Sequence, residues 1–353
     1  MNMTVGPRTY SELHLHLGGA VLPRILFSFL QKTKAAKLDP ERTAMAASYL
    51  RKYPNYEKWE RKLTKKSDSL TQYLDNHKIV EPLQGIESIG YFVNRLLRGC
   101  YVFENMAYLE LRYNPLFRIP RGTPIEKAPG LMAEIVGTVA AAAQATQKEF
   151  PIVFTQILCM DSRLPKEVNM EIAKLAASMK SEVCAVDIAG PDEAYRENHD
   201  DLLACLKFAK ENLDLKTTCH LFETENGCFP DFLPYCDRIG HGIQIPLKFP
   251  KLLPQLARRK QVLEVCPTTY FRTGTIRTYD ELRPVFQYCF DLGVDVTICT
   301  DNSAFHGVRL PLEYERLLNH KIINFREMEA CRENGFKHAF RWPGHVDRRR
   351  DIL

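Results

Sequence analysis

Two histidines, His14 and His16, stand one residue apart in the stretch SELHLHL near the N-terminus. In an extended chain alternate side chains share a face, so the two imidazoles lie together and Leu13, Leu15 and Leu17 lie opposite. Two neutral imidazoles at that spacing can bind one metal ion, and zinc is the default for nitrogen and carboxylate donors. An isolated pair of this kind is more commonly two hydrogen-bonded core histidines. Three further residues change the balance. His220 closes one apolar run, His241 closes another, and Asp301 follows a third. Each of these alone has a structural reading, the aspartate as a helix cap for instance. Together they are five metal-competent or acid/base side chains at equivalent places. Glu223 lies three residues beyond His220, and a carboxyl beside a metal site can exchange protons with a substrate if its pKa is raised.

The elements that must position them alternate along the chain. Strands are expected at 11–17, 107–113, 152–159, 183–189, 215–221, 237–242, 261–266 and 294–300, with helical patterns at 124–147, 165–180, 199–213 and 279–292. Alternation of this kind implies parallel strands joined by right-handed crossovers. Eight such units predict an α/β fold, a (β/α)8 TIM barrel, whose active sites gather at the C-terminal ends of the strands. Residues 34–105 hold no strand candidate and predict a helical insertion after the first strand. The Lys- and Arg-rich segment 51–66 reads as a solvated helix face. Residues 325–353 read as a C-terminal helix followed by a polar tail from 343. No repeat or Gly/Ser linker divides the chain, so residues 1–353 are expected to form one barrel domain.

Composition excludes several classes. The 353 residues are 45% hydrophobic and 26% charged with a net charge of +5, an ordinary globular balance too weakly basic to argue for nucleic acid or an anionic membrane. No apolar run approaches the ~18 residues of a membrane span. The first residues lack a basic segment followed by an apolar one, so no secretory signal is expected. The eleven cysteines have neither disulfide-like nor C-x-x-C spacing. Buried free thiols in a reducing, cytoplasmic setting are the expectation.

Seven short stretches carry a resemblance. SELHLHLGGA at 11–20, YLELRYNP at 108–115, VDIAGPDE at 186–193, HLFE at 220–223, DRIGHGI at 237–243, LEVCP at 263–267 and TDNSAF at 300–305 occur in order over about residues 11–320. In these stretches the sequence resembles the adenosine deaminase family of metal-dependent hydrolases, including adenosine-deaminase-like enzymes that act on 6-alkylamino purine nucleotides. The resemblance implies one zinc ion held by His14, His16, His220 and Asp301. It implies Glu223 as proton donor to ring nitrogen 1 of a purine, and His241 as the group that orients the attacking water and takes its proton. Gly190 would set a backbone amide against ring nitrogen 3. Binuclear relatives carry a modified lysine on the fourth strand; here Val186, Asp187, Ile188 and Ala189 contain none, so a single metal is expected.

Two positions depart from adenosine-specific members. Those carry an aspartate, which contacts the ribose 5′ end, where this chain has Gly18, followed by Gly19. Its loss removes a hydrogen-bond acceptor and an anion that would repel a 5′-phosphate, so tolerance of a substituted 5′ position is expected. Arg118 and Arg121 are possible phosphate partners, although solvated loop arginines have the same appearance. Asn302 stands where the family usually has an aspartate facing ring nitrogen 7; an amide can donate there without needing a proton, and it could equally report a changed base. The expected substrate is a 6-aminopurine nucleoside or its 5′-substituted or nucleotide form. The alternatives are the same chemistry on another amino-heterocycle, such as adenine or an adenosine with a large 5′ group, and an inactive nucleoside-binding relative. A small molecule is the expected partner, with neither nucleic acid nor membrane; oligomeric state is left open.

Overall fold

A computed structural model describes residues 8–37, 40–67 and 70–344. Among them nine strands are assigned: β1 (Tyr10–His16), β2 (Met106–Tyr113), β3 (Val153–Asp161), β4 (Val183–Ala189), β5 (Lys216–Thr217), β6 (His220–Leu221), β7 (Arg238–His241), β8 (Val262–Val265) and β9 (Asp295–Ile298). They form two parallel sheets, β1-β2-β3-β4-β5 and β6-β7-β8-β9. Backbone bonds join the sheets at both seams. At one, the Thr218 N–H reaches Val186 O (2.9 Å) while Cys219 O accepts from Gly240 N–H (2.8 Å). At the other, the His16 N–H donates to Asp301 O (2.7 Å) and the Asp301 N–H to His14 O (2.8 Å). The strands thus make the ring of a (β/α)8 barrel.

Strands buried on both faces read as nearly continuous apolar runs, and every residue of β2 is buried. Leu13 and Leu15 turn outward beneath the helices while His14 turns in, and all three are at most 1% exposed. The barrel interior is not purely apolar. Glu110, Arg112, Asp187, Arg238 and Glu264 are all buried there, in a layer that supports the site.

Five expectations need correction. The strand expected at 215–221 is divided into β5 and β6, because at Thr218–Cys219 the chain transfers its backbone pairing from β4 to β7. The helical elaboration begins at Leu17, directly after β1, rather than at 34. It runs through helices Pro23–Ala36, Pro40–Lys52, Tyr56–Thr64, Leu70–Val80 and Ile86–Glu104. The helix expected from 124 starts at Ala128, which places Pro129 in the first turn, where its missing N–H costs nothing. The one expected at 199–213 is α-helical over His199–Lys207 and widens to π geometry over Phe208–Asn212. That at 279–292 opens with a 3-10 turn, Tyr279–Leu282, before the α-helix Arg283–Asp291. In the basic segment, Trp59 and Leu63 are buried while Lys58, Arg61, Lys65 and Lys66 are exposed, a solvated face. The terminal helix Phe325–Lys337 opens on a reciprocal Asn324–Glu327 capping box and packs across β9 and β1. The tail from 345 lies outside the described residues. No helix among the described residues is long and apolar enough to cross a membrane.

Candidate active site

His14 and His16 project from β1 at the second seam, and His220 opens β6. Their Nε2 atoms converge: His14 lies 3.2 Å and His16 3.0 Å from His220. Asp301 Oδ1 faces the same point, 3.4 Å from His16 Nε2 and 3.9 Å from His14 Nε2. The far side of two rings decides what those nitrogens carry. His14 Nδ1 lies 2.7 Å from Glu264 Oε2, and His220 Nδ1 lies 3.1 Å from Asp187 Oδ1. A carboxylate there holds the proton on Nδ1 and leaves Nε2 a bare lone pair. Burial, then the nearby Arg112, keeps His14 neutral by pushing its pKa well below the usual histidine value. Lone pairs that face one another at 3.2 Å repel unless a cation lies between them. The donor set therefore fits a metal ion, with three imidazoles and one carboxylate as for tetrahedral zinc.

The supporting carboxylates are themselves compensated. Arg112 donates to Asp187 (3.0 Å), to Glu264 (2.8 Å) and to Leu13 O (2.6 Å). Arg238 spans Glu264 (2.7 Å) and Glu110 (2.5 Å). Buried charges of this kind are stable only when paired throughout.

His241 ends β7 and Asp301 follows β9, both with the left-handed backbone that non-glycine residues seldom adopt, at φ 68° and 58°. Strained backbone of this sort clusters at functional sites. It aims His241 inward, with Nε2 3.5 Å from Glu223 Oε2 and Nδ1 3.3 Å from the Tyr270 hydroxyl. Glu223 is buried, and its Oε1 has no hydrogen-bond partner. Burial, followed by the negative neighbours Asp301 and Asp192, raises its pKa well above the ordinary carboxyl value. A second triplet, His14, His241 and Cys266, also converges. Burial holds the Cys266 thiol protonated, which makes it the poorer ligand set.

These groups surround a cavity of about 90 Å³, walled also by Gly18, Tyr73, His77, Gly190 and Asn302. Gly190 has φ 134°, and any β-carbon there would collide with Ser162 Oγ, so only glycine brings this backbone to the cavity wall.

A family model described as adenosine deaminase matches residues 9–353. The chain belongs to the adenosine deaminase family. It is accordingly a hydrolase of the metal-dependent deaminase type. It is 28% identical to an adenosine deaminase of Clostridium acetobutylicum over 338 residues, 93% of this chain and 92% of that one. Two solved structures share the fold. The adenine deaminase of Arthrobacter aurescens has a TM-score of 0.75 at 17% identity, covering 95% of this chain and 94% of its own. The N6-methyl-AMP deaminase of Arabidopsis thaliana has 0.69 at 19%, covering 94% and 92%.

Within this member of the adenosine deaminase family, His16, His220, His241, Glu223, Asp301, Asn302, Gly18 and Gly190 all line one cavity, and His14 lies buried behind it against His220. Asn302 donates Nδ2 to Asp301 Oδ1 (2.6 Å), and its own Oδ1 has no partner. The two arginines part company. Arg118 is buried on the cavity wall, donates to Asn114 O (2.6 Å) and stacks on Tyr113 at 5.0 Å. Arg121 is exposed and lines a neighbouring cavity instead. Sequence reasoning assigned no role to Arg112, Asp187, Arg238 or Glu264. Their signal was a charge at an inward position of an otherwise apolar strand, as in VLEV. It also assigned none to Tyr73 and His77, which the insertion helix brings over the cavity.

Proposed function

We propose that the protein removes the 6-amino group of an aminopurine nucleoside, free or substituted at its 5′ end, by zinc-dependent hydrolysis. The convergence of three imidazoles, two of them locked from behind by buried carboxylates, supports this reading more than any other observation. His14, His16, His220 and Asp301 would hold one zinc ion, which lowers the pKa of water toward ~7 so that hydroxide is available at neutral pH. Glu223, whose acid form burial favours, donates to ring nitrogen 1 as carbon 6 is attacked, so that the purine can accept electrons. His241 takes the proton of the attacking water and is placed to pass it on toward the departing amine. The Gly190 amide meets ring nitrogen 3. One N–H of the Asn302 amide is used on Asp301, and the other donates to ring nitrogen 7. A nucleoside is favoured over a free base because a second, larger cavity borders the first at Lys78, Glu81, Phe117 and Arg163, room that a bare purine does not need. The eleven free thiols, all but Cys228 buried, support a reducing, cytoplasmic setting.

The test is ammonia or amine release from metal-analysed protein with adenosine, AMP, 6-methylamino-AMP and adenine. One zinc per chain and turnover of a nucleoside or nucleotide that disappears in Glu223→Gln are expected. Turnover of adenine alone would move the reaction to free bases. Tight nucleoside binding with no turnover by zinc-loaded protein would make the chain a binding protein.

A further inference from the structure

The catalytic cavity has an annex. A second cavity of about 740 Å³ adjoins it, and Lys78, Glu81, Phe117 and Arg163 border both. The route between them can be followed through contacts. The His16 ring is 6.2 Å from the His77 ring, and His77 Nδ1 lies 3.5 Å from Glu81 Oε1. His77 occupies the space that a side chain at position 18 would need, since a β-carbon on Gly18 would lie 2.5 Å from its Nδ1. What bounds the path away from the metal-binding cluster is therefore the His77–Glu81 pair on the insertion helix and the turn after it.

The outer cavity is apolar. Leu116, Phe117, Ile119, Met132, Leu164 and Val168 supply much of its wall. The cations at the junction are already engaged. Arg163 forks onto Asp161 at 2.8 and 2.7 Å, and Lys78 reaches Asp75 at 2.8 Å. Arg118 is 3.9 Å from Glu81. Burial alone would raise the Glu81 pKa, but the bond from His77 and the charge of Arg118 outweigh it and hold this carboxyl below its usual value. The doorway thus carries an anion and its cations are engaged; Arg121 lines the outer cavity alone, together with the carboxylates Glu167 and Glu171.

With carbon 6 at the histidines and ring nitrogen 1 at Glu223, the substituent on ring nitrogen 9 leaves from the opposite side of the purine; Gly18 and His77 line the same cavity, and position 18 is where adenosine-specific members carry the aspartate that contacts the 5′ end. We propose, resting on the aminopurine reading above, that the outer cavity receives the 5′ end of the nucleoside and selects an uncharged apolar group there. A thioether or alkyl ether on C5′ is then preferred to a hydroxyl, and both to a phosphate. Val168, Ile119 and Leu164 become specificity-determining residues that touch only the 5′ group.

The zinc-loaded full-length protein is assayed for kcat/KM on adenosine, 5′-deoxy-5′-butylthioadenosine, AMP and 6-butylaminoadenosine. Each is repeated in Val168→Trp and, should that variant not fold, in Ile119→Trp on another part of the wall. The butylthio nucleoside is expected to be the best substrate. Filling the cavity should lower its kcat/KM about tenfold or more, since each buried CH2 is worth roughly 0.8 kcal/mol, and leave adenosine unchanged. AMP as the best substrate would overturn the proposal. So would a tryptophan variant that spares the butylthio compound, or one that impairs the 6-butylamino compound instead, which would assign the cavity to the 6-substituent. Failure of every substrate would count against the aminopurine reading first. Calorimetric binding of 5′-butylthioinosine to wild type and Val168→Trp needs no turnover, and equal affinities would then overturn the cavity assignment separately.

Discussion

In the proposed chemistry Glu223 supplies the proton, and its position favours that role. Its surroundings are buried and hold two other carboxylates, both of which favour its acid form and raise its pKa well above the ordinary carboxyl value. Activity that depends on this acid form is present below its raised pKa and declines as pH climbs through it. A kcat/KM profile should show an alkaline limb, and Glu223→Gln should lose roughly 10² or more of the activity while still binding the nucleoside product. The supporting carboxylates are tested in another way. Glu264→Gln should weaken zinc affinity by about 10–100-fold in a chelator competition. It should also lower the melting temperature, because Arg112 and Arg238 each lose a charged partner. The residues that converge at the site were legible because His-x-His, HLFE and TDN are local patterns. The carboxylate–arginine layer was not, because its partners are far apart in sequence: Arg112 meets Asp187 75 residues on and Glu264 152 residues on.

At the level of elements, the insertion helix Leu70–Val80 reaches over the mouth and leaves its mark on the strand end it faces. Gly18 is small because the His77 ring stands there. Restoring the family's aspartate should therefore not restore a ribose contact. Gly18→Asp is expected to lower both kcat/KM and thermal stability, and Gly18→Asp combined with His77→Ala to regain part of the stability, as read from melting curves. Strand boundaries were visible to within about two residues from apolar runs bounded by turn residues, and all eight expected runs contain a strand. The division of LKTTCHL into β5 and β6 was not visible. Either half has the same local preference, and only the non-local choice between β4 and β7 as partner separates them. The helix start at Ala128 was in principle readable from Pro129.

For the molecule as a whole, β9 and the terminal helix are fastened by one carboxylate. Asp295 accepts from Lys337 Nζ (2.6 Å) and lies 2.7 Å from His338 Nε2. Those bonds, the one to His338 foremost, lower its pKa to about 2, against 3.8 for the free side chain. A depressed carboxyl pKa contributes stability that is complete above the unfolded value and is lost as pH falls toward the folded one. Wild type should exceed Asp295→Asn in urea midpoint at pH 6, and the gap should close between about pH 4 and pH 2. The second seam has a wider consequence. His14 and His16 face Asp301 only because the first strand pairs with the end of the last, where Glu12 and Thr300 are bonded across 288 residues of chain. A nascent polypeptide still short of Asp301 holds its histidines but lacks the anionic donor and the backbone that sets their spacing. Stalled synthesis upstream of that residue would yield no partially active fragment: in the proposed reading, competence arrives in one step, when the first strand meets the end of the last.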